Sequence, residues 1–336
     1  MYRHLLARHR RARASLLLMG LGAGLAAGMP VFAQPSSAVF PQRPVRVLIP
    51  VSAGSQTDIV ARLLGQRMSE NWGQQVLVDN RPGAGGTVAG NMLVSAQPDG
   101  HTLMLNSISH AVNASLYAKL PFDTLKDFAG VAQVGSTPNV LVVSPEVPAR
   151  NLRDLIALAK SRPGQLNFAS AGIGTGTHLN GEQFKLAAGI DIVHVPFKGT
   201  PEALNDVASN RVQMFFAPLS PALPFVRDRR VLPLAVSTQR RAPALPELPT
   251  VAEAGLPGFE FDLWLGILAP SKTPRPVVKL ISAEVRRVLE LPDVRERMLG
   301  QGVDPRYTTP EEFDRFIRSE VDRIAEIVKA SGARVE

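Results

Sequence analysis

An α/β fold in two lobes is what this sequence predicts, and three observations carry the prediction. Apolar, β-branched runs alternate with helical patterns along the chain. Strand-like runs repeatedly open into short loops of Gly, Ser, Thr and Ala that lead into a helix, at residues 52–57, 171–177 and 198–200. The chain has 336 residues, and a core of that size usually divides in two.

Taken in order, residues 1–33 stand apart. "MYRHLLARHRRARAS" holds Arg3, Arg8, Arg10, Arg11 and Arg13 with no acid, "LLLMGLGAGLAAG" follows, and Val31 and Ala33 satisfy the small-residue cleavage rule. This is the pattern of a secretory signal peptide cut near Ala33; glycines and Pro30 interrupt what a spanning helix needs. Its removal leaves 303 residues and lowers the net charge from +8 to +3. "RDRR" and "QRRA" are too short to form the basic stripe of a nucleic-acid binder, so no such partner is expected. The chain lacks cysteine, which excludes disulfides, a lipidated cysteine anchor, thiol catalysis and cysteine metal sites. An exported, soluble globular protein is the expectation.

"VRVLIP" reads as a strand, and Ile59, Val60, Leu63, Leu64, Met68 and Trp72 fall on one face of the helix after it. "QVLVDNRPGAGGTVAGNMLVSAQPDG" gives a strand, a glycine turn and a short helix; "HTLMLNSISHAVN" is a strand entering a small polar loop. "FAGVAQVGSTPNVLVVSP" reads as two runs separated at Thr137-Pro138-Asn139. A helix capped by Asn151 and followed by Gly164 comes next. "QLNFASAGIGTGTHLNGEQFKLAAG" and "DIVHVPFKGTPEALNDVASN" repeat strand, loop and helix, the second with Pro201 at the helix start. "RVQMFFAPLSPALPFV" and "VLPLAVST" read as strands, and a proline-rich passage leads to "FEFDLWLGILAP". In the last helix Thr309 and Glu312 form a capping box, and Phe313, Phe316, Ile317, Val321, Ile324 and Val328 form the buried stripe.

The loops invite a ligand, because open α/β sheets bind at the carboxyl ends of their strands and helix starts favour anions. "PVSAGSQTD" has neither the lysine nor the spacing of a nucleotide loop, and "GIGTG" and "GAGG" lack the dinucleotide spacing. Only His101, His110, His178 and His194 remain after the leader, none in a metal-binding motif, and no GxSxG elbow is present. No catalytic residue, cofactor or metal is therefore expected. Asp58 reads as an acid favouring the first helix start, and Lys198 as either an anion lure or an ordinary surface lysine.

The chain resembles the receptors of tripartite tricarboxylate transporters, the Bug-type periplasmic solute-binding proteins. The resemblance rests on "FPQRPVRVLIP", "NRPGAGGTVAG", "QPDGHTLML", "THLNGEQFK", "DIVHVPFKGTPEAL" and "ALPELPTVAEAGLPGFE" in this order. It implies a type II periplasmic binding fold with the ligand between lobes. Residues 34–136 and 262–336 would form one lobe and 137–261 the other. It also implies a ligand set of Ser52, Ala53, Gly54, Ser55 and Thr57 with Ser107 and Ser109, facing Ser170, Ala171, Gly172, Thr175, Thr177, Gly199, Thr200 and Pro218. The family's first loop runs along the lines of "PFPPGGGTD"; here Ser55 and Gln56 put polar side chains beside the cleft. The implied function is capture of a small organic acid for delivery to membrane permease subunits, by a non-enzymatic protein; the sequence carries no sign of oligomeric state, and a monomer is the default expectation. A secreted hydrolase pairing a loop serine with His110 or His178, and a sensor for a signalling partner, are the alternatives.

Overall fold

The computed structural model describes residues 40–331; the signal-peptide reading of residues 1–33 lies outside the described residues. The first half alternates as expected: β1 (Val45–Ile49), α1 (Gln56–Trp72), β2 (Val76–Asn80), α2 (Thr87–Val94), β3 (Thr102–Ser107), α3 (Ser109–Leu116) and β4 (Phe128–Val143). The middle gives α4 (Leu152–Ser161), β5 (Asn167–Ser170), α5 (Gly176–Ala188), β6 (Val193–Pro196), α6 (Thr200–Ala208), β7 (Met214–Pro218), α7 (Leu219–Arg227) and β8 (Leu232–Val236). The chain returns through β9 (Asp262–Pro270), α8 (Arg275–Glu290), α9 (Pro292–Gly300), β10 (Asp304–Pro305) and α10 (Pro310–Ser331).

Strands pair in the order β2-β1-β3-β9-β4-β7-β5-β6, with β8 and β10 also on β4. One half-sheet joins parallel β2, β1 and β3 to antiparallel β9 and the first part of β4; the other joins the end of β4 to β7, β8, β5 and β6. The "GSTPNV" passage, read as a break between two strands, is instead the middle of one long strand. Pro138, still paired with Asp262 of β9, comes directly before Asn139, paired with Pro218 of β7. A proline disrupts a ladder least where the ladder is already changing hands.

Only two stretches carry the described chain between half-sheets, β4 and the approach to β9, and Ser237 ties them together. Its Oγ accepts from the Asn139 amide at 3.0 Å and donates to the Phe261 carbonyl at 2.6 Å. Its own amide donates to the Asn139 carbonyl, and its carbonyl accepts from the Phe261 amide, both at 2.8 Å. Ser237 is fully buried.

Each half-sheet is packed by its own helices. Val278, Ile281, Val285, Val288 and Leu289 of α8 sit with Val60, Leu64 and Met68 of α1 on one face of the first half-sheet. Each such side chain contributes ~1.5–3 kcal/mol when fully buried. Leu204 and Val207 of α6 pack with Leu219 and Leu223 of α7 on the second. The stretch after β7, read as strand from "PLSPALPFV", is the helix α7. Pro221 falls in its first turn, where the amide would lack an intrahelical partner in any case. Helix α10 is seated by contacts that demand particular residues. Gly266 of β9 admits the Phe313 ring so closely that a Cβ there would lie 2.0 Å from Cζ. Trp264 Nε1 donates to Glu320 Oε2 at 3.0 Å, and Arg323 grips the same carboxylate at 2.7 and 2.9 Å. The Asn151 cap and the Thr309–Glu312 box form as the sequence indicated.

Candidate functional site

Helix starts converge between the two half-sheets. A cavity of about 40 Å³ is lined by Ser55, Gln56 and Thr57 at the start of α1 and by Ser107 and Ser109 at that of α3. Ala171, Thr175, Gly176 and Thr177 at α5, Thr200 at α6 and Pro218 before α7 also line it, with Pro50, Val51, Leu263 and Leu265, and the surface it exposes is mainly apolar. Helices α1, α3, α6 and α7 begin without a side-chain cap. As in any helix their first amides lack intrahelical partners, that of Thr200 being taken by Ser55 Oγ at 3.2 Å and that of Ser109 by Ser107 Oγ at 3.5 Å, and each start carries about half a positive charge from the macrodipole. Among the described residues, none lining this cavity carries a formal charge.

The hydroxyl protons can be assigned. Thr175 Oγ1 donates to the Gly172 carbonyl at 2.7 Å, so in its 2.9 Å contact with Thr177 Oγ1 the proton belongs to Thr177. Thr177 Oγ1 also accepts from the Ala171 amide at 2.9 Å. Ser109 Oγ donates to Asn106 Oδ1 at 2.8 Å, which leaves Ser107 as donor in their 3.1 Å contact. These hydroxyls spend their protons on the scaffold. The α1 start differs: Gln56 Nε2, Gln56 Oε1 and Thr57 Oγ1 are buried with no partner, although their residues are only 4% and 5% exposed.

The other expected residues stand further out or deeper in. Ser52 spans the cleft mouth, its Oγ donating to Glu202 Oε1 at 2.8 Å and its amide to the Lys198 carbonyl at 3.4 Å. Gly199 packs under it, and the Thr200 amide donates to Ser55 Oγ at 3.2 Å. Ala53 and Gly54 face solvent; the Gly54 amide donates to Asp58 Oδ2 at 2.8 Å. Burial works to raise the Asp58 pKa, but hydrogen bonds from Arg62, Gly54 and Asn80 hold it below the usual carboxylate value. Gly172 lines a wider outer cavity of about 770 Å³, together with Tyr117, Ile173, Phe197 and Lys198.

Ser170 is fully buried, and its Oγ lies 2.6 Å from His194 Nε2. His194 stacks on His178 with centroids 4.0 Å apart, and His178 Nδ1 accepts from the Gly174 amide at 3.3 Å. Burial pushes His178 down to about 4; burial and then the neighbouring His178 push His194 to about 3. Both are neutral supports that hold the α5 loop. His110 is buried against Phe128 and brought to about 4 by burial. Neither His110 nor His178 meets a loop serine in the geometry of a hydrolase, so that alternative is not favoured. Among the described residues no cluster of His, Cys, Asp and Glu is fit to hold a metal, and no helix is long and apolar enough to cross a membrane.

Gln56, outside the expected ligand set, also lines the cavity. The signal was the replacement of a small residue by a long amide. The Ser237 tie was also missed, since nothing local marks it.

Two half-sheets with a cleft of helix starts between them define a two-lobed periplasmic binding protein of type II, and the comparisons agree. The pattern of the tripartite tricarboxylate transporter family receptor matches residues 60–333, and the chain belongs to that family. It is 34% identical to protein BugT of Bordetella pertussis over 303 residues, covering 90% of this chain and 93% of the relative. The structure of R. palustris Rpa4515 with adipate superposes with a TM-score of 0.86 at 33% identity, covering 88% of this chain and 100% of that one. MatC (Rpa3494) from Rhodopseudomonas palustris with bound malate gives 0.83 at 33% identity, over 86% and 100%. The chain is thus a periplasmic solute-binding receptor by family.

Proposed function

We propose that this chain captures a small organic carboxylate in the cavity at residues 55–57, 107–109, 171–177, 200 and 218 and delivers it, unchanged, to the membrane permease subunits of a tripartite transporter. It works as an exported monomer after loss of residues 1–33. The observation that carries the reading is the convergence of uncapped helix starts on a cavity with no formal charge of its own. Adipate and malate in the two related structures support an acid as the guest.

The energetics are sufficient without an arginine. Hydrogen bonds to a charged group contribute ~1.5–3 kcal/mol each, and helix starts add ~0.3–1 kcal/mol apiece. A handful reaches the ~8 kcal/mol of a micromolar complex after ordering costs. Neutral donors also permit release at the membrane. Titration calorimetry against mono- and dicarboxylates of two to six carbons tests the reading, with small-angle scattering to follow closure. At least one acid should bind and compact the protein; a panel with no binder overturns the proposal.

A further inference from the structure

The hinge carries a cluster of charge that the cleft does not use. Glu260 and Asp262 stand on either side of Phe261, the residue laced to Ser237. Glu260 is held by the second half. Gln183 of α5 donates to its carbonyl at 3.2 Å, and Gln239, just after β8, donates to its Oε2 at 2.5 Å. Asp262 is held by the first half: it pairs with Pro138 at the last step of the β4–β9 ladder, and Ser136 hydrogen-bonds its carboxylate. The turning axis therefore passes between two carboxylates, one fixed to each half.

The groups that face Asp262 do not balance its charge. Besides Ser136 of β4, strand β10 brings Asp304, the ladder partner of Ser136, and Arg306 follows that strand. Helix α10 brings Arg323, whose guanidinium is already spent on both oxygens of Glu320 at 2.7 and 2.9 Å. An ionised Asp262 thus meets Glu260 and Asp304, and among the described residues Arg306 is the facing cation with no ion pair of its own. Burial, ahead of these charges, lifts the carboxyl to about 6, against the Ser136 hydrogen bond and Arg306. This arrangement is the closed one, since Ser52 and Glu202 bridge the mouth. Turning the second half outward carries Glu260 away from Asp262 and admits water between them, and both changes favour the ionised form. We infer that Asp262 is a proton-operated element of the hinge, which favours the closed receptor when protonated and the open one when ionised. The device acts on the motion whatever the guest, and is independent of the carboxylate reading above.

The chain has no cysteine, so spin labels can be placed where they are wanted. Val88→Cys on α2 and Val193→Cys on β6, both exposed, put one label on each half. Double electron–electron resonance on the unliganded protein then reads the closed and open populations. The measurement runs from about pH 5 to about 7.5, above the titration of the buried histidines. A folded value raised above the ordinary one means that protons favour the closed form, so closure is lost as pH rises through about 6. With the ordinary carboxylate value restored on opening, the closed-to-open ratio should fall about tenfold over this range. Asp262→Asn should hold the ratio near its acid value throughout, and Glu260→Gln should move the midpoint to lower pH. A wild-type change below about twofold, a rise with pH, or a response that survives in Asp262→Asn overturns the assignment. If Asp262→Asn does not fold, an unmoved midpoint in Glu260→Gln overturns it equally.

Discussion

Adding one methyl group at Gly199 should open the cleft. Gly199 has an extended backbone, φ −177° and ψ −178°, which any residue adopts, so the substitution Gly199→Ala tests space alone. Its Cβ would stand 2.3 Å from Ser52 Oγ, 2.9 Å from Ser52 Cβ and 2.9 Å from Ser55 Oγ. The loop before α1 must then retreat from the loop before α6. Three hydrogen bonds cross that line: Ser52 to Glu202, the Ser52 amide to the Lys198 carbonyl, and the Thr200 amide to Ser55. At ~0.5–1.5 kcal/mol each, their loss removes about 1.5–3 kcal/mol from the closed form, a discount being taken for partial relaxation. Since only closed protein completes the site, affinity for the tightest acid of the panel should drop roughly ten- to hundredfold. Calorimetry reads the loss, and scattering at an acid concentration that compacts the wild type should show a larger radius of gyration for the variant. The fold itself should hold, because neither core is touched. An affinity within about twofold of wild type, with unchanged scattering, would refute the reasoning.

Other outcomes follow from groups away from the cleft mouth. Burial raises the Asp262 pKa to about 6, against the opposing Ser136 hydrogen bond and Arg306 charge, while Glu260 and Asp304 add to the rise. Its folded pKa lies above its unfolded value, so its contribution is full below about pH 4 and is lost as pH rises through about 6. Asp262→Asn should therefore add ~1–2 kcal/mol at pH 7.5 in chemical unfolding and nearly nothing at pH 4. The buried histidines act with the opposite sign. His110 and His178 are held near 4 and His194 near 3 by burial. Stability is complete above about pH 6.5 and falls as pH drops toward 4. Calorimetric melting between pH 7 and 4.5 should show a net decline, and a rise over that range would contradict the burial of all three rings. Gly266→Ala should cost ~1–3 kcal/mol by overpacking Phe313, measured by urea unfolding; a neutral result would mean that α10 sits elsewhere.

What could be read from the chain depended on the distance over which each feature is determined. Asn151 and the Thr309–Glu312 box were legible because a cap is written within four residues. The strand, loop and helix repeats were legible for the same reason, and they brought Ser55, Thr57, Thr175, Thr177 and Thr200 to one cavity. Local rules misread Thr137-Pro138-Asn139 as a break between strands and the stretch holding Pro221 as strand. Each proline occupies a place where its missing amide is not needed, and only the partner strands and the helix start reveal that. Ser170 looked like a cleft hydroxyl from its loop, whereas its side chain turns inward to His194, a residue of the neighbouring strand. Gln56 could be identified as unusual but not as unpartnered, since that property belongs to everything folded around it.

The buried node at Ser237 has a consequence for how the receptor moves. With both crossing stretches laced to the same side chain and backbone, the halves have no independent pivots about which to slide or shear. They share one spine at Ser237, so any turning of one half against the other engages both crossings at once. On the function proposed above, that shared turning point is what a membrane partner would read to tell the loaded receptor from the empty one.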